Sequence, residues 1–120
     1  MALSEELLRS IDFMDFDKAM EYCAGMPELL SDAISDYTGT DSRYNELLRF
    51  FEEKNWDEYR VCIHAVKSSS LLIGIGDLYE HAKALESAVK ENDIQYVLNH
   101  HEEVMAEYKN VLDVLTNLSK

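Results

Sequence analysis

The residues best suited to chemistry stand together in "HAVKSSSLLIG", His64 to Gly74. His64 is followed three residues on by Lys67, then by Ser68, Ser69 and Ser70, and Arg60 precedes it by four. Near neutral pH an ordinary exposed imidazole is mostly uncharged, and its free nitrogen is a nucleophile. Cations beside it favour that form and stabilise negative charge brought to it. A hydroxyl one turn away can donate a hydrogen bond to the same charge. Such a group needs an element that holds it clear of the core with its cations on the same side.

A helix over residues 57–73 does this. At about 100° per residue, Tyr59, Cys62, Ile63, Val66, Ser69, Ser70 and Ile73 fall within about 60° of Val66 and form the buried stripe. Two serines on that stripe predict either a closely packed neighbouring helix or hydroxyls bonded back to helix carbonyls. His64 lies about 160° from Val66 and points outward, with Lys67 at about 100° and Ser68 at about 160° on the other side. Arg60 shares that face one turn earlier. Leu71, about 140° from Val66, is apolar where a solvated residue is expected. Gly74 and Gly76 break the helix, and Asp77 with Glu80 opens the next in a capping arrangement.

The rest of the chain reads as helix as well. One proline and four glycines in 120 residues leave long uninterrupted stretches. Short pieces over 4–11 and 15–24 precede four longer helices, roughly 27–53, 57–73, 77–91 and 93–118. "TGTDS" (38–42) is poor helix sequence. Yet Tyr37, Tyr44 and Phe51 keep one phase across it, which predicts a single long helix with a kink at most. Asn55 or Asp57 caps the second, and "KENDIQ" marks the last turn. The expected fold is all-α, an antiparallel up-and-down four-helix bundle with one or two short N-terminal helices, in one domain spanning 1–120.

A formal charge of −13, from 24 acidic and 11 basic residues, repels a phosphate backbone and argues against nucleic-acid binding. No run approaches the length of a membrane span, and "MALSEELLRS" has no secretory-signal pattern. Cys23 and Cys62 read as reduced core thiols, which places the protein in the cytoplasm. The starting methionine and compact ends favour a free-standing protein.

"HAVKSSSLLIGIGDLYEHAKALE" resembles the signature of histidine-containing phosphotransfer (HPt) domains, the helical-bundle carriers of two-component phosphorelays. His64, Lys67, Ser68, Ser69, Ser70, Gly74, Leu78, Leu85 and Glu86 match its pattern in register, and the likeness covers roughly residues 10–118. Ser68 stands where most members carry glycine, and it is small enough to leave the imidazole accessible. The resemblance implies that His64 accepts a phosphoryl group on Nε2 from a receiver-domain aspartate and passes it to another receiver. By the same resemblance Lys67 pairs with the phosphoryl oxygens, Ser68 donates a hydrogen bond to them, and Arg60 and Leu71 support docking. The implied partners are response-regulator receiver domains and a hybrid sensor histidine kinase. Mg²⁺ is expected from the receiver, and the chain has no cofactor of its own. Phe13 and Met14 are weaker docking candidates, since such residues usually belong to the core. A monomer is expected, because one surface imidazole suffices for transfer.

No Gly-rich phosphate loop or Walker-type lysine occurs, so the chain reads as a phosphoryl carrier without an ATP site rather than an enzyme. A di-metal bundle enzyme needs Glu-x-x-His, and Val61, Leu78, Val97 and Leu98 precede the four histidines by three. His101 and His81 read as half-buried and satisfied, and His100 as solvated. The rival reading is a non-phosphorylated bundle that binds receivers or other signalling proteins; a scaffold of that kind has no use for His64 and Lys67.

Overall fold

Three turns of the same build set the course of the chain in this computed structural model, which describes residues 4–118. The starting methionine, and the expectation resting on it, lie outside the described residues. The helices are α1 (Glu5–Arg9), α2 (Phe16–Tyr22), α3 (Pro27–Thr38), α4 (Tyr44–Glu52), α5 (Trp56–Leu72), α6 (Gly76–Lys90) and α7 (Ile94–Leu118). Among the described residues there is no strand, and none of their helices is long and apolar enough to cross a membrane.

The turns α4–α5, α5–α6 and α6–α7 each hold their middle residue, Lys54, Gly74 or Asn92, at positive φ of 55°, 77° and 60°. In each, the following amide reaches back to a carbonyl five residues earlier: Asn55 to Phe50 at 2.9 Å, Ile75 to Ser70 at 2.9 Å and Asp93 to Ala88 at 2.7 Å. This closure satisfies the last carbonyls of one helix while reversing the chain within three residues, so consecutive helices lie side by side. Asn55 and Asp93 then cap the next helix through their side chains. Ile75 occupies the equivalent place before α6 without a side-chain cap. The expected Asp77–Glu80 arrangement is therefore corrected: the turn closes two residues before Asp77, which falls inside the first helical turn.

At Gly74 two demands coincide. Its φ is 77° and a Cβ there would run into the Asp15 carbonyl. The Asp15 amide donates to the Gly74 carbonyl at 2.7 Å. Only glycine meets both conditions, and through this contact α2 docks on the end of α5.

The single helix expected over 27–53 is broken between Thr38 and Tyr44. Thr38 Oγ1 donates to the carbonyls of Ile34 and Ser35, and the Asp41 amide turns back to the Asp36 carbonyl at 2.8 Å. The apolar phase survives because both halves pack on α7. Tyr37 meets the Tyr108 ring edge-on at 5.9 Å, Tyr44 approaches it at 6.2 Å, and Phe51 stacks on His101 at 3.7 Å. The core between α3 and α7 also includes Leu30, Ile34, Leu47, Ile63, Val66, Leu78, Leu85, Val97 and Leu115. Met14 is buried and Phe13 half-buried against it, so these two belong to packing.

Candidate functional site

The serines of α5 divide their work by position. Ser70, fully buried, shares a hydrogen bond of 2.9 Å with the Tyr37 hydroxyl. Ser69 donates back to the Ala65 carbonyl at 2.8 Å. The back-bonding anticipated for a serine on the stripe occurs at Ser69, whereas Ser70 is satisfied by a tyrosine of α3. Ser68 is exposed on the outer face.

His64 stands mid-way along α5 with its side chain 57% exposed. Its Nδ1 lies 2.7 Å from Glu86 Oε2, contributed by α6. Lys67 Nζ lies 2.6 Å from the other oxygen, Oε1, and Lys90 Nζ 3.7 Å from Oε2. The Glu86 side chain is only 4% exposed. Burial alone would raise its pKa, but the hydrogen bonds and charges of Lys67 and His64 outweigh it and hold the carboxyl below its ordinary value. Glu86 is therefore ionised and can only accept. His64 Nδ1 carries a proton and donates, so in the neutral ring the lone pair sits on Nε2.

A buried carboxylate is tolerable here because several donors converge on it. It fixes the tautomer and the orientation of the ring, and it draws Lys67 down beside the imidazole. Chemically, in its neutral form the ring offers Nε2 as a nucleophile, with an anion behind it and an ammonium alongside.

The other expected residues fall around this centre. Arg60 is half-buried one turn before His64. Leu71 is half-buried and lines a groove with Lys18, Tyr22 and Gly74 where α2 meets the end of α5. Leu72 and Val61 are the more exposed apolar side chains on this helix, at 41% and 55%. Sequence reasoning gave neither a docking role, nor Glu86 a chemical one. Glu86 carried a legible signal: on a wheel of α6 it falls about 80° from Leu78, at the edge of the buried stripe, where a lone carboxylate calls for a cation from a neighbour.

The remaining histidines lie elsewhere. His101 is buried, its Nδ1 2.9 Å from the Tyr59 hydroxyl, and burial lowers its pKa to about 4. His81 is exposed rather than half-buried, and its Nδ1 lies 2.6 Å from Glu107 on α7. That hydrogen bond raises its pKa. His100 bonds Glu103 at 2.7 Å and packs against Tyr96. Comparison with family models, with curated proteins and with solved structures finds no match to this chain.

Proposed function

We propose that the chain is a histidine phosphotransfer carrier of a phosphorelay, with α3–α4 as one broken leg and α5, α6 and α7 completing an antiparallel up-and-down four-helix bundle. The observation that carries the reading is the His64 ring, more than half exposed, whose Nδ1 is bonded to a buried, ionised Glu86 that also holds Lys67. A histidine that served only solvation would need no such support.

In the transfer, the Nε2 lone pair attacks the phosphorus of an aspartyl phosphate on a receiver domain. The N–P bond forms as the P–O bond to the aspartyl carboxylate breaks, and that carboxylate leaves with the bonding pair. The proton stays on Nδ1, so the ring gains positive charge directly facing Glu86. Lys67 can swing from Glu86 Oε1 toward the incoming oxygens, and Ser68, one turn on, can donate a hydrogen bond to them. Magnesium bound by the receiver would neutralise the same oxygens. Passing the group to a second receiver reverses these events.

Incubation with a phosphorylated receiver tests this. The expected result is acid-labile, alkali-stable label on the wild-type chain, absent in His64→Gln, with the melting temperature of the variant unchanged. Label that persists in His64→Gln rejects the acceptor. A wild-type chain that binds receivers without taking label supports the rival interaction-module reading.

A further inference from the structure

We propose that Arg43 is a docking residue that receives a carboxylate of the relay partner in the groove it shares with Ser68, beside His64. The proposal rests on the phosphotransfer reading above and names a contact for it.

Arg43 closes the break between α3 and α4, where the sequence read as continuous helix. Its backbone amide donates to the Tyr108 hydroxyl at 2.9 Å, and Tyr108 is buried, so the residue is anchored on the core. Its side chain lines a groove with Asp41, Ala65, Ser68, Ser69 and Leu72. Ala65 directly follows His64, and Ser68 stands one turn on, so the groove opens alongside the imidazole. The guanidinium makes one long hydrogen bond, 3.5 Å to the Thr40 carbonyl. It joins none of the ion pairs among the described residues, Asp41 included. Most of its five N–H donors are left for a partner.

Charge says what that partner brings. In the transfer proposed above the receiver gives or takes the phosphoryl group at an aspartate, so it brings carboxylate oxygen to the face that meets His64. This chain carries −13 overall, so its own field repels a carboxylate at long range. Lys67 and Lys90 are engaged with Glu86. Of the cations not engaged with Glu86, Arg60 and Arg43 lie beside this stretch of α5, and Arg43 is the one that lines the groove with Ser68. A planar guanidinium fork suits a carboxylate.

The test uses a receiver domain, phosphorylated with acetyl phosphate, that transfers to the wild-type chain, and measures transfer rate against receiver concentration. Arg43→Ala is expected to raise the half-saturating concentration about tenfold and Arg43→Glu further, with the maximal rate kept and a weaker dependence on salt. Lys54→Asn removes an equal charge at the far end of α5, about 20 Å away, and is expected to change little. Because the Tyr108 bond uses the Arg43 backbone, melting should be unaffected. Phosphoramidate, which labels histidine without a receiver, should label all variants alike. Half-saturation that matches the Lys54 variant overturns this proposal alone, as does a fall in maximal rate at unchanged half-saturation. Failure of every receiver to label the wild-type chain overturns the phosphotransfer reading, and this proposal with it.

Discussion

His64 and His101 are the same side chain in two settings, and each is held through Nδ1. His64 donates to a buried carboxylate and leaves most of its ring in solvent. His101 meets the Tyr59 hydroxyl and stacks on Phe51 with only 3% of its surface exposed. The anion behind His64 aims a lone pair outward and can absorb positive charge on the ring. The hydroxyl and aromatic box around His101 offer no such compensation, and burial lowers its pKa to about 4. The two histidines differ in the chemistry of the partner and in the exposure of the opposite edge.

The largest expected consequence of this contrast is a dependence of stability on pH. The folded His101 resists protonation below the ordinary value of 6.5, so the unfolded chain binds more protons as pH falls. Stability is therefore full above pH 6.5 and is lost on descent toward about 4, by about 3 kcal/mol from this group. Glu86, whose pKa lies below the ordinary 4.5, adds its own loss only at lower pH. Denaturant melts between pH 7 and 4.5 check the sign. The double variant His101→Phe/Tyr59→Phe, which removes both polar partners, should flatten the curve across that window.

Glu86→Gln sharpens the comparison from the other side. It keeps the shape under His64 but removes the charge. Charge-assisted hydrogen bonds contribute about 1.5–3 kcal/mol, so transfer should slow by about ten- to a hundredfold. Phosphotransfer rates at matched receiver concentration read this directly. An unchanged rate would reduce Glu86 to a structural ion-pair partner.

The buried stripe of α5, the outward placement of His64 and the three turns were all legible in the sequence, because helical period and turn chemistry are local. The break after Thr38 was not, since Tyr37, Tyr44 and Phe51 keep one phase when both halves pack on α7. Glu86 was visible only as a carboxylate at the edge of an apolar stripe; that it pairs with His64 and Lys67 depends on how α6 sits against α5. His81 illustrates the opposite error. Its phase says half-buried, but the ring is exposed and bonds Glu107 across to α7.

The smallest expected effects separate the two lysines. Lys67 is 21% exposed and 2.6 Å from Glu86, while Lys90 is 56% exposed and 3.7 Å away. Lys67→Ala should slow transfer several-fold and destabilise by about 1 kcal/mol, and Lys90→Ala should cost under about 0.5 kcal/mol. Paired melts and transfer assays rank them, and equal effects would contradict the geometry.

Nuclear magnetic resonance of the phosphorylated chain, with nitrogen-15 in its histidines, reaches the central claim most directly. One-bond coupling from phosphorus to Nε2 of His64, with the proton retained on Nδ1, is the predicted result. Phosphorus on Nδ1, or on any other histidine, would contradict it.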